Sequence, residues 1–158
     1  IEVEIDGASY QVPDSSGQSF SPQTLARPTG PVAPTDATVP VPLIKLAWGR
    51  SGDKGDKANV GIIARHPEYL PYIHAALTEQ AVADCFAHFL PAQAAGKTAS
   101  YVDRYLMPGS HAINFLIHDV LGGGGMASIR NDAQGKGYGQ ILLALSIPVS
   151  VEIAEQLK

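Results

Sequence analysis

Val41 to Ala64 reads VPLIKLAWGRSGDKGDKANVGIIA, and the fold turns on how its two apolar runs are read. Ile44, Leu46 and Trp48 alternate with Leu43, Lys45 and Ala47, the period-2 pattern of a strand. Residues 50–57, RSGDKGDK, interrupt the run with serine, two glycines and two aspartates, a composition that predicts a turn or loop. ANVGIIA then resumes as a second strand. Two strands around a polar loop place that loop at one end of a sheet, a common position for a ligand site.

Toward the N-terminus, IEVEIDGASYQV alternates apolar and polar residues about Asp6-Gly7, which predicts a hairpin over residues 1–12. Such a hairpin is marginal in water and needs something to lie on. Residues 13–40 are rich in Pro, Ser, Thr, Gly and Ala and read as a linker or extended arm. Residues 41–158 are then the folding unit. Beyond the second strand the period becomes helical. Tyr69, Tyr72, Ile73, Ala76 and Leu77 share one face, and Thr78 caps a second helix with the stripe Val82, Cys85, Phe86 and Phe89. YVDRYLM, residues 101–107, is a strand by alternation; SHAINFLIHDVLGGGG, residues 110–125, fits strand or helix. A short strand at MASIR, a helix with the stripe Tyr138, Ile141, Leu142 and Leu145, and a strand over SIPVSVEI complete the chain. Intermixed strands and helices predict an α/β sandwich with helices on one face of a sheet.

The 158 residues fit one domain. Apolar residues make up 45% and charged ones 16%, a surface short of charge that points to a homo-oligomer or a bound partner. A net charge of −4 lacks the cationic footprint of a nucleic-acid binder. Lone Cys85 makes no intrachain disulfide and reads as a buried thiol in a reducing compartment. Ile1 replaces an initiating Met without a basic-then-apolar leader, which we take as a removed N-terminus. No apolar run approaches the ~20 residues that span a bilayer; the expectation is a soluble cytoplasmic protein, with no membrane partner.

Within residues 50–57, Gly52 and Gly55 permit the backbone of an anion-binding nest, to which Arg50, Lys54 and Lys57 add positive charge. Asp53 and Asp56 oppose an anion unless they face away or anchor the loop. The alternative is a solvated turn with internal salt bridges. The stretch lacks the lysine and hydroxyl of a P-loop and the acid ladder of a calcium loop. The glycine run Gly122–Gly125 is either a close approach to backbone or ligand or a hinge. It does not match a dinucleotide fingerprint, and neither do Gly135, Gly137 and Gly139. His118, Asn114 and Asp56 are the weak catalytic candidates. The chain has no zinc spacing and no nucleophile elbow, so we expect no metal and no cofactor.

Three segments, LAWGRSGDKGDKANVGIIARHPEY, VDRYLMPGSHAINFLIHDVLGGGG and SIRNDAQGKGYGQILLALSI, resemble the small C-terminal domain of the acyclic terpene utilisation protein AtuA family. The resemblance spans about Leu43 to Ile147. The family's typical strings correspond to Ser51, Gly52, Asp53, Lys54, Gly55, Asp56, Asn59 and Gly61. They continue at Arg104, Pro108, Asn114 and Gly122–Gly124, then at Arg130, Asp132, Gln134, Gly135 and Lys136. Lys57 stands where members often carry Thr. The resemblance implies an α+β, ferredoxin-like two-layer sandwich, here with an extra strand and preceded by the hairpin and Pro-rich arm. It also implies a large AtuA-like domain or subunit as partner and a link to acyl-CoA intermediates of acyclic terpene breakdown. The ligand-binding set expected is Arg50, Ser51, Gly52, Asp53, Lys54, Gly55, Asp56, Lys57, Asn59, Gly123 and Gly124, facing the CoA moiety of a substrate or another anion. Two classes remain: an accessory component of an acyl-CoA-processing enzyme, inactive alone, and a non-catalytic interaction or oligomerisation module without a ligand site.

Overall fold

The structure, a computed structural model, describes residues 1–13, 17 and 26–157. The hairpin expected at the N-terminus is present: β1 (Glu2–Ile5) and β2 (Ala8–Gln11) pair antiparallel. Asp6 and Gly7 between them take positive φ, 53° and 78°, as a tight hairpin turn requires. Of the arm, residues 14–16 and 18–25 lie outside the described residues. Residues 26–38 form neither helix nor strand, but they lie against the core: the Tyr72 hydroxyl donates to the Asp36 carboxylate at 2.9 Å. The arm's last two residues, Val39 and Pro40, are already strand, opening β3 (Val39–Pro42).

The strand expected over residues 41–48 is not one strand. After β3 the chain makes a single helical turn, α1 (Leu43–Leu46), before β4 (Ala47–Lys54) begins. Alternation puts Leu46 on the opposite face from Leu43 and Ala47, whereas one helical turn brings the three to one side, where all are buried while Ile44 and Trp48 stay exposed. The loop expected over 50–57 is corrected as well. Residues 50–54 belong to β4, β5 (Lys57–Ala64) begins directly opposite Lys54, and only Gly55 and Asp56 form the turn. A strand tolerates these residues because they lie on a sheet edge: Arg50 and Lys54 project into solvent, and Ser51 is bonded to a neighbouring loop.

The helical expectations hold as α2 (Leu70–Ala76) and α3 (Glu79–Cys85), with the Thr78 hydroxyl accepting from the Ala81 amide at 3.1 Å. A third hairpin follows, β6 (Val102–Met107) and β7 (Ala112–Ile117), so the ambiguous 110–125 segment is strand and then loop. The MASIR segment is turn rather than strand. Among the described residues no strand pairs with it, and its Ala127 and Ser128 amides close back onto the Gly124 carbonyl. After α4 (Tyr138–Leu143), β8 (Ser146–Val149) is shorter than expected. Ser150 caps α5 (Val151–Gln156) by accepting from the Ile153 amide at 3.2 Å, which takes Val151 and Ile153 out of the strand.

The main sheet runs β4-β5-β7-β6, antiparallel throughout. The α2–α3 pair crosses from β5 to β6, with β7 lying between those two strands, the split crossover of a ferredoxin-like sandwich. In a βαββαβ chain the edge beside the first strand is filled by the last. Here β4 fills it from the N-terminal side, and the strand after α4 leaves the sheet to pair with β3. Ala58, Val60, Ile62, Ile113, Phe115 and Ile117 face the helices and are buried. Phe86, Tyr138 and Phe89 stack through the helical layer with centroids 5.0 and 5.2 Å apart. Among the described residues, no helix lies over the other sheet face. Among the described residues, no helix is long and apolar enough to cross a membrane.

Candidate functional site

Strand register fixes what the open face presents, because alternate residues point to opposite sides. One row across the four strands is Trp48, Ile63, Ala112 and Met107; the next is Arg50, Gly61, Asn114 and Tyr105; the third is Gly52, Asn59, Leu116 and Asp103. Lys54 and Lys57 face each other at the turn. Apolar side chains therefore gather at one end of this face and polar and cationic ones at the other.

A cleft of about 430 Å³ lies at the polar end, lined by Arg50, Ser51, Gly52, Asp53, Lys54, Asn59, Gly61 and Lys136. Gly52 and Gly61 leave its floor without side chains. A Cβ at Gly52 would stand 3.4 Å from the Lys136 ammonium, and one at Gly61 would stand 3.9 Å from the Asn114 Oδ1. The Lys136 Nζ is 3.9 Å from an Asp53 carboxylate oxygen, and the Lys54 Nζ donates to the Asp53 carbonyl at 3.1 Å. The side chains of Arg50, Asn59 and Asn114 have no partner among the described residues. Three cations against one carboxylate leave the cleft positive although the chain is negative overall.

The residues expected to act together divide into two sets. Arg50, Ser51, Gly52, Asp53, Lys54 and Asn59 meet in the cleft. Ser51 also ties it shut, donating to the Lys136 carbonyl at 2.9 Å and accepting from the Gly139 amide at 2.8 Å. Asp56, Gly123 and Gly124 instead build the scaffold behind it. The Asp56 carboxylate accepts from the amides of Leu121 at 3.0 Å and Gly123 at 2.8 Å, and its carbonyl accepts from the Val120 amide. Gly124 has φ +79°, and a Cβ there would collide with the Gly55 carbonyl. Of the two readings of the glycine run, this is the close backbone approach. Gly55, with φ +63°, closes the turn, and Lys57 is exposed beside the cleft rather than lining it.

The three weak catalytic candidates do not converge. Asp56 is engaged by the glycine run, while Asn114 and His118 are four residues apart along one strand direction, roughly 13 Å. His118 pairs with Asp103, Nε2 to Oδ2 at 2.8 Å. Cys85 is half-buried, and burial pushes its thiol pKa up, away from nucleophile behaviour. Among the described residues, no group of three or more His, Cys, Asp or Glu side chains is placed to hold a metal.

Lys136 is the cleft residue outside the expected binding set that carries charge. Its loop is shaped by Asp132, whose carboxylate accepts from the amides of Lys136 at 2.7 Å and Gly137 at 2.8 Å. The D-x-x-G-K-G spacing was the available signal, since Asx-type bonding and a positive-φ Gly135 make a fixed turn. A family model described as the AtuA ferredoxin-like domain matches residues 41–148. No curated protein and no solved structure gives a significant match.

Proposed function

Since the chain belongs to the AtuA ferredoxin-like domain family, we propose that it is an accessory domain of an AtuA-type assembly. In this reading it holds the anionic part of a substrate while a larger domain or subunit performs the chemistry. The observation that carries the proposal is the cleft, with Arg50, Lys54 and Lys136 around a floor stripped of side chains at Gly52 and Gly61. Directly opposed Lys54 and Lys57 add to it, because like charges facing across two strands destabilise a hairpin unless something neutralises them. A phosphate or pyrophosphate group suits both features, bonded by the cations and the Asn59 amide. The CoA moiety of an acyl-CoA intermediate in acyclic terpene breakdown is the substrate class we assign. A cytoplasmic location goes with it, in keeping with the unpaired thiol of Cys85.

A second reading, an interaction module without a ligand site, is favoured by the exposed row of Trp48, Ile63 and Met107 on the same face. Calorimetric titration separates the two. With pyrophosphate, CoA or an acyl-CoA, Arg50→Ala and Lys54→Ala should each weaken binding by about 1–2 kcal/mol, the scale of a charge-assisted bond. Added salt should weaken it further. Equal affinities for wild type and both variants, or no heat with any ligand when the larger partner is also present, would leave the interaction module standing.

A further inference from the structure

The N-terminal hairpin is sorted completely by face. Register places Val3, Ile5, Ala8, Tyr10 and Val12 on one side and Glu2, Glu4, Ser9 and Gln11 on the other. Every one of these residues is exposed. A two-stranded ribbon with one apolar side does not hold itself together well in water and gains most by lying on another apolar surface.

The core offers such a surface. Trp48 and Met107 are each 51% exposed, Ile63 44% and Tyr105 41%, all on the uncovered side of the four-stranded sheet. The tether leads to the same place. Arg27, where the arm re-enters the described structure, holds its guanidinium 5.9 Å above the Tyr105 ring on that face. The chain between Val12 and Arg27 reaches at most roughly 50 Å when extended, whereas four strands span only about 20 Å. At the same end of the face Arg65 lays its guanidinium 4.7 Å over the Trp48 ring, which leaves the ring half-exposed beside Ile63.

We propose that the hairpin of residues 1–12 docks apolar side down on the open face of its own chain's sheet, over Trp48, Ile63, Tyr105 and Met107, as a second sheet layer. The occupant is the chain's own hairpin because a short tether holds it at an effective concentration near the millimolar range, which a second copy in dilute solution does not reach. Docking covers the apolar end of the face and leaves Lys54 and Asn59 at the other end open.

Trp48 is the only tryptophan and sits under the proposed contact, so its emission reads the docking without any ligand. The test compares the full chain with a Val3→Ser/Tyr10→Ser variant, which removes a facing apolar pair, and with Glu2→Gln, which alters the other side. Docking predicts that the double variant shifts Trp48 emission to the red and raises acrylamide quenching about twofold, as a half-exposed ring loses its cover. Glu2→Gln should behave as wild type, and light scattering should give monomer mass at the concentrations used. Identical emission and quenching in wild type and the double variant would overturn the proposal. So would a difference that vanishes on dilution together with a dimer mass, because the covering hairpin would then belong to a second copy.

Discussion

Asp56 stands in the turn of a polar stretch, yet its carboxylate is turned inward, where it gathers the amides of Leu121 and Gly123. Leu121 is fully buried, so its amide has no water to fall back on once that acceptor is removed. Asp56→Ala should therefore cost about 2–3 kcal/mol in urea unfolding, and Asp56→Asn, which keeps an acceptor oxygen, should cost clearly less. The glycines nearby make a sharper pair. Gly55 has φ +63° with no atom within 4 Å of an added Cβ, whereas at Gly124 the Cβ would meet the Gly55 carbonyl. Gly55→Ala carries only the left-handed backbone penalty, about 1–2 kcal/mol. Gly124→Ala adds a collision with main chain that no rotamer relieves, so its cost should exceed that of Gly55→Ala by at least about 1 kcal/mol. Equal urea midpoints for the two variants would mean that the glycine run is not pressed against the turn.

The C-terminal end of α2 shows how one side chain joins two layers. Arg104 reaches from β6 to donate to the carbonyls of His74 at 2.9 Å and Leu77 at 3.1 Å, groups that a helix end leaves unpaired, and it pairs with Glu79 at 3.5 Å. Burial, and secondarily the Arg104 charge, hold the His74 pKa below its ordinary value, with Glu79 partly opposing them. The sign follows from linkage. The unfolded chain takes up the proton near pH 6.5 while the folded chain resists it, so the unfolded state binds more protons as pH falls through that value. The His74 contribution to stability is therefore fully present above about pH 7 and declines below 6.5, until the folded pKa is passed. Urea midpoints measured from pH 7.5 to 5.5 should fall, and His74→Asn should flatten part of the slope. At this scale the sequence was legible where one signal acted alone, as with Thr78 before the α3 stripe. It misled where two periods coincided: Leu43, Leu46 and Ala47 satisfy a helical turn, and Val151 and Ile153 continue an alternation that the Ser150 cap ends. Neither conflict is decided locally, because what settles each is the packing of the apolar side chains against the rest of the core.

Across the whole molecule, the layer order was readable from alternating strand and helix patterns, but the route of the chain through it was not. That β4 fills the sheet edge from the N-terminal side is decided by pairing between distant segments. The site divides in the same way. Arg50, Gly52 and Lys54 stood out as glycine and charge between apolar runs and Asn59 came with the family resemblance, whereas Lys136 reaches the cleft through a bond between residues 85 positions apart, Ser51 to the Lys136 carbonyl. Long-range pairing also sets where the domain can be cut. The family match begins at residue 41, within β3, yet β3 pairs over its whole length with β8, from Val39 opposite Val149 to Pro42 opposite Ser146. The Thr38 amide extends the ladder by donating to the Val149 carbonyl at 2.9 Å, and Val41 is buried against the core. A chain of residues 26–158 keeps this ladder and the Asp36–Tyr72 bond; a chain of residues 43–158 loses both and leaves β8 without a neighbour. Losing Val41 burial and the ladder together should cost roughly 3 kcal/mol, which for a domain of this size lowers the melting temperature by roughly 6–12 °C. Calorimetric scans of the two chains test this directly. The longer one should melt in a single transition near the full chain, and coincident melting of the shorter one would show that the β3–β8 pair contributes nothing to the cooperative unit.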